Sequence, residues 1–432
     1  MKFISTSGFA PAVDLCSALL EGLAPDGGLY FPESMPRLPL RDFEPCLTLP
    51  EVAAVLLRPF FEGDALASVL EAICARSLDI ETPMAAISER AHLLELFHGP
   101  TAAFKDYGAR FLANSLSRIR AAATTERPLT ILVATSGDTG SAVAAAFHRL
   151  AGFRVVILYP SGGVSKRQAH QLGCFGDNIF TFSVESTFDT CQAMAKQVLR
   201  DAALRERVPL SSANSISLGR LLPQVSYYAF ASLQHFRTTG RPLSFIVPTG
   251  NLGNAMAALM ARSLGLPIKR VLLATNRNAT IPEFIATGEY QGRASVGTLA
   301  SAMDVGDPSN VTRLKFMMAK DPALAKGLEA LSVGDETIST RIREGESRYG
   351  KVFCPHTACG IEMLEDQRRL GSREDFCVVA TAHPAKFDDV VEPLIGHPVV
   401  PPEALRRMLE RPATSEGLEP AAEALKARLL RL

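Results

Sequence analysis

A lysine placed for chemistry stands in His98-Gly99-Pro100-Thr101-Ala102-Ala103-Phe104-Lys105-Asp106. Gly99 and Pro100 break the apolar segment Leu93–Phe97, and Asp106 favours the first turn of a helix. Held among small apolar residues, such a lysine loses hydration, which lowers its pKa and frees the amine as a nucleophile. Taken alone, the segment reads more readily as a solvated lysine capping a surface helix. A second stretch shifts that balance. Pro248-Thr249-Gly250-Asn251-Leu252-Gly253-Asn254 follows the apolar run Phe245-Ile246-Val247 and precedes the helix-forming run Ala255–Ala261. Strand, glycine turn and helix present backbone N–H groups to a phosphate at a helix N-terminus. Gly250 and Gly253 let the backbone approach that anion closely.

This turn is not a dinucleotide fingerprint, because G-x-G-x-x-G is absent, and not a P-loop, because no Lys-Ser/Thr follows the glycines. A reactive amine for an aldehyde and a cradle for a phosphate are what pyridoxal phosphate requires. Three further loops could complete a site. In Ala134–Gly140, Ser136 and Thr139 with the N–H groups of the following helix could hold a carboxylate or phosphate, or merely cap that helix. Asn214-Ser215-Ile216-Ser217-Leu218-Gly219-Arg220 offers hydroxyls and an arginine able to fork onto a phosphate, or simply a surface arginine. Two such loops beyond the cofactor cradle imply a substrate carrying both a carboxylate and a phosphate. Thr381, at the end of the apolar run Cys377–Ala380, could bond a pyridine nitrogen without forcing its protonation, or cap the turn before Pro384. His356 and His383 read as structural histidines, and Lys386 as exposed.

The elements that must carry these loops alternate. Thr130–Ala134, Val155–Tyr159 and Ile179–Phe182 are apolar strands, with helices over Ser141–Leu150, Ser165–Leu172 and Thr190–Arg200. A long helix, Leu221–Phe236, opens a second run with strands Leu243–Val247, Val271–Thr275 and Phe376–Ala380. Fully apolar strands alternating with helices specify parallel sheets covered on both faces, an α/β class in which ligands sit at the strands' C-terminal edge. The expected domains are an N-terminal region, 1–90, without nameable chemistry; a large cofactor-binding domain, 91–127 and 225–432; and a smaller α/β domain, 128–224. Residues 276–350 read as a peripheral excursion, and the tail after Pro401 as helical.

Composition bounds the function. A chain of 432 residues can bury a large core, and 45 basic against 45 acidic residues give no bias toward nucleic acid or membrane surfaces. Eight scattered cysteines without a C-x-x-C pair suit a reducing compartment. Cys354, His356 and Cys359 lack a complementary pair, so no metal site is expected. No signal-peptide core and no membrane span are read, which makes the expected location cytoplasmic. The oligomeric state stays open, and a monomer is compatible with it.

Together these stretches resemble the threonine synthases, on the pyridoxal-phosphate fold called type II. The resemblance covers almost the whole chain. It begins with Phe3-Ile4-Ser5-Thr6 and Asp26-Gly27-Gly28-Leu29-Tyr30, as in the longer bacterial and fungal members, and continues through the five loops above in the family's order. It implies that Lys105 binds the cofactor's aldehyde, that Gly250, Asn251, Leu252, Gly253 and Asn254 cradle its phosphate, and that Thr381 meets its pyridine nitrogen. Ser136, Asp138, Thr139, Asn214, Ser215 and Arg220 would line the substrate side, although related enzymes often carry asparagine where Asp138 stands. The implied reaction is a β,γ-elimination and replacement that turns O-phospho-L-homoserine and water into L-threonine and phosphate. A lyase releasing 2-oxobutyrate on the same scaffold is the alternative. A silent cofactor-binding relative or a nicotinamide oxidoreductase fits the motifs less well.

Overall fold

Every residue of Leu129–Ala134, Leu243–Pro248 and Phe376–Ala380 is buried. Successive strand side chains point to opposite faces, so continuous apolar runs are stable only where helices cover both sides. The computed structural model describes residues 1–122, 127–324 and 327–432. Among these, the strands in chain order are β1 Phe3–Ser5, β2 Tyr30–Pro32, β3 Met84–Ser88, β4 Ala91–Glu95, β5 Leu129–Ala134, β6 Phe153–Pro160 and β7 Ile179–Val184. There follow β8 Leu210–Ser212, β9 Leu243–Pro248, β10 Ile268–Thr275, β11 Leu328–Ser332, β12 Phe376–Ala380 and β13 Glu416–Leu418.

Six of them form one sheet in the order β11-β10-β9-β12-β4-β3, with only β3–β4 antiparallel. Five more form a parallel sheet, β13-β7-β6-β5-β8. The α/β class and its two parallel-rich sheets are as expected. Two stretches fall elsewhere than the sequence reading puts them. Residues 84–88, assigned there to the N-terminal region, pair with β4 in the larger sheet. Residues 416–418, assigned to the large domain, pair with β7 at the edge of the smaller one. Both are short edge strands; β13 is almost wholly exposed and carries no apolar run, and the run Met84–Ile87 of β3 is too short to show which sheet it joins.

The N-terminal helices pack against the helices Lys105–Ala121 and Leu218–Thr239. Thr48 and Glu51 cap the helix Leu49–Phe61 reciprocally, each side chain meeting the other's backbone N–H. That helix lies against the long helix Leu218–Thr239, and Phe61 meets Phe111 edge-on at 6.2 Å. No described helix is long and apolar enough to cross a membrane.

Candidate active site

The helix Lys105–Ala121 begins at the lysine itself, and the loop before it is held from two sides. Asp106 reaches back, accepting from Thr101 N at 2.8 Å and from Thr101 Oγ1 at 2.7 Å. Burial raises its carboxyl to about 6 despite those bonds. From the other side, the backbone after β12 stitches the loop down. Phe104 N donates to Thr381 O at 2.9 Å, and His383 N donates to Ala102 O at 3.0 Å. Between these anchors Ala102 takes a left-handed φ of 54°, a conformation alanine adopts only when its surroundings enforce it.

Lys105 opens on a cavity between the C-terminal ends of strands from both sheets. Ser136, Asp138 and Thr139 reach it from the end of β5, and Asn214 and Ser215 from the end of β8. Gly250, Asn251, Leu252, Gly253 and Asn254 reach it from the end of β9, and Thr381 from the end of β12. Twelve of the thirteen residues singled out from the sequence therefore line one cavity. Lys105 keeps part of its surface open to that space, with its Nζ 4.3 Å from the centre of the Phe104 ring. Loss of water and the nearby Arg220 charge lower its amine to about 7, against a weaker opposing pull from Asp138. We therefore expect the rate at which cofactor-free protein captures pyridoxal phosphate to rise with a midpoint near pH 7. Stopped-flow absorbance would follow it. A midpoint near the ordinary lysine value of 10.5 would mean a hydrated amine.

Arg220 is the exception. It is 1% exposed, and its Nη1 donates to Ala213 O at 2.5 Å rather than facing the cavity. Its Nε is buried without a partner among the described residues. The sequence expectation of a fork onto substrate phosphate is corrected accordingly: this guanidinium stands behind the wall and acts on Lys105 through its field. Lys386, expected at the surface, is 0% exposed. A buried ammonium without a counter-charge would cost several kcal/mol, and Lys386 meets Asp138 Oδ1 at 2.8 Å. That carboxylate stays below its usual range, although burial raises it, because Lys386 and Gln168 outweigh the burial.

The wall also contains residues the sequence reading passed over. His356, 3% exposed, takes a hydrogen bond on Nε2 from Ala302 N at 3.1 Å. Burial lowers the imidazole to about 4, so it is neutral, and its Nδ1 has no partner among the described residues. Ala302, Met303 and Val305 line the cavity from the stretch read as peripheral. The cluster Asn276, Thr298 and Asp304 folds that stretch inward, with Asn276 Nδ2 donating to Asp304 Oδ1 at 2.7 Å.

The residues present fit pyridoxal phosphate. The helix Gly253–Ser263 starts after Leu252, a left-handed residue at φ 62° that leaves the first-turn N–H groups without a side-chain cap. Asn254 Nδ2 is a buried donor with no partner among the described residues, its oxygen being taken by Tyr228 at 2.7 Å and Tyr227 at 2.5 Å. Asn251 braces the turn, donating to Ser215 Oγ and accepting from Ser309 N, both at 2.6 Å.

Comparison with known proteins gives the family and the cofactor. The family model for pyridoxal-phosphate dependent enzymes matches residues 82–382, so fold and site define a pyridoxal-phosphate enzyme of fold type II. Models for the threonine synthase N terminus and the threonine synthase C-terminal region match residues 2–78 and 357–428. The chain belongs to the threonine synthase family. It is 38% identical to the threonine synthase of Serratia marcescens over 434 aligned residues, covering 100% of each chain. With that of Escherichia coli K12 it shares 38% over 432, covering 100% of this chain and 99% of the other. The crystal structure of the Escherichia coli threonine synthase superposes with a TM-score of 0.93 at 36% identity, over 100% of both chains. A pyridoxal-phosphate-bound threonine synthase from Brucella melitensis gives 0.88 at 32%, over 100% of this chain and 99% of that one.

Proposed function

We propose that the chain converts O-phospho-L-homoserine and water to L-threonine and phosphate, with Lys105 as the residue that holds the cofactor and moves protons at the substrate's carbons. One observation carries this: the desolvated amine of Lys105 and the Gly250–Asn254 turn open on the same cavity, which Ser136, Thr139 and Ser215 also line. Gly250 to Asn254 would hold the cofactor's phosphate and Thr381 its pyridine nitrogen. When bound, pyridoxal phosphate draws electrons away from the substrate's Cα.

The rest is done by side chains of this protein. Lys105 Nζ, uncharged in about half of the molecules near neutral pH, can take a proton from Cα and later return one, and the Arg220 charge behind it disfavours its holding that proton. Ser136, Thr139 and the N–H groups opening the helix Asp138–Phe147 would bind one anionic group of the substrate, and Ser215 would bind the other. Asn214 contributes differently. Its amide is occupied by Ala134, accepting from N at 3.0 Å and donating to O at 2.9 Å, so it fixes the end of β5 beside β8. The eight cysteines are all free thiols, in keeping with a cytoplasmic location.

The test is product analysis with O-phospho-L-homoserine. Phosphate and threonine are expected in equal amounts. Phosphate with 2-oxobutyrate instead would move the chain to a lyase on the same scaffold.

A further inference from the structure

The reaction as derived gives Lys386 no part, yet this ammonium joins the two halves of the site. Its Nζ lies 2.8 Å from Asp138 Oδ1 and donates to Thr101 O at 2.8 Å. Asp138 opens the helix after β5, in the smaller sheet; Thr101 belongs to the loop between β4 and Lys105; Lys386 itself follows β12. The backbone around it is anchored too. Ser165 Oγ donates to Lys386 O at 2.6 Å, and Arg167 Nη1 donates to Ala385 O at 2.7 Å. Gln168 Nε2 donates to the same Asp138 oxygen at 2.9 Å. Asp138 lines the cavity while its counter-charge lies outside the lining.

We propose that Lys386 is a positioning residue for the reaction, one that neutralises Asp138 in the cavity wall, ties that wall to the Lys105 loop and thereby sets the field at Lys105 Nζ. The proposal rests on Lys105 being the cofactor lysine. The charged and titratable groups acting on this cluster are Arg220 and Asp138 on Lys105, His356 and Lys386 on Asp138, and Lys386 and Arg110 on Asp106. With both members of the pair present, the pull of Asp138 on Lys105 persists, and the ammonium beside the carboxylate offsets it only in part. Removing the Lys386 charge leaves the Asp138 carboxylate, which draws a proton onto Lys105. Removing the carboxylate leaves the ammonium, which repels it. Removing both leaves neither field, so Lys105 falls between the two single variants.

The experiment compares full-length wild type with Lys386→Met, Asp138→Asn and the double variant. Two readouts are taken across pH: the acid limb of kcat for the loaded enzyme, where bound substrate has freed the Lys105 amine, and the rate of pyridoxal phosphate capture by the cofactor-free protein. Lys386→Met is expected to raise both midpoints, and Asp138→Asn to lower them, by about one pH unit each. The double variant is expected between the two singles. Singles shifting in the same direction, a double equal to the worse single, or no shift in any variant would overturn the proposal. Thermal melting identifies a variant that fails to fold. If that is Lys386→Met, Asp138→Asn alone decides, since an unchanged or raised midpoint there also overturns it. A Lys105→Ala control separates the two readings: if Lys105 is not the cofactor lysine, that variant still captures the cofactor.

Discussion

Lys105→Ala is expected to lose activity by on the order of 10³-fold or more, because it removes both the amine that captures the aldehyde and the group that carries protons at the substrate's carbons. The fold should survive. Lys105 is the first residue of its helix, alanine is a good helix former, and the loop before it is held by Asp106, Thr381 and His383 rather than by the lysine side chain. Stability adds an independent sign. The folded protein lowers this amine from 10.5 to about 7, so between those values the unfolded chain holds a proton that the folded chain does not. Stability of the cofactor-free wild type therefore rises with pH across that window. The cost of keeping the lysine is full below about pH 7 and absent above 10.5. Cofactor-free Lys105→Ala should accordingly melt higher than wild type at pH 7, with the gap closing as pH approaches 10. Melting curves at several pH values, beside an activity assay, check both halves. An alanine variant that melts lower at pH 7 and gains nothing relative to wild type as pH falls would mean that the amine is hydrated and is not the nucleophile.

Legibility in the sequence followed burial symmetry. β5, β6, β9 and β12 are covered on both faces, so each carries at least three consecutive apolar residues. The loops at their C-terminal ends could then be placed at one edge, which is why twelve of the chosen residues line one cavity. The short strands β8 and β13 have three residues each, too few for a period. Arg220 and Lys386 depart from expectation for a shared reason: a charged residue near a turn is normally solvated. What buries Lys386 is a carboxylate distant in sequence, and what buries Arg220 is packing against Gly108, where an added Cβ would come within 2.9 Å of the arginine Nε. His356 had a local signal that went unused. Pro355 and the small residues Thr357 to Gly360 open a helix whose first turns are entirely buried, so a histidine there must face the interior.

Gly250→Ala is the second large effect expected, and it tests the cradle apart from the lysine. Gly250 has no left-handed φ, so alanine there meets no backbone penalty of its own. The obstacle is space. An added Cβ would lie 2.7 Å from Met303 Cα and 3.0 Å from Met303 O, contacts with backbone that no side-chain rotation relieves. The segment around Met303 cannot retreat freely, because Ala302 N is bonded to His356 and Asp304 is held by Asn276 and Thr298. The turn must move instead, carrying the uncapped N–H groups of the helix Gly253–Ser263 away from the phosphate position. Displacing positioned groups by about 1 Å typically costs around 10²-fold, and we expect a loss of pyridoxal phosphate affinity of that order. Overpacking should add a stability loss of about 1–3 kcal/mol. Gly253→Ala is the matched control. Its Cβ would approach only Ser215 Cβ at 3.3 Å and Asn310 Nδ2 at 3.8 Å, side-chain atoms that can shift by tenths of an ångström. Melting curves should therefore rank Gly250→Ala well below Gly253→Ala, and cofactor titrations followed by absorbance should show the affinity loss in Gly250→Ala. Equal, wild-type affinity in both would place the phosphate elsewhere than on this turn.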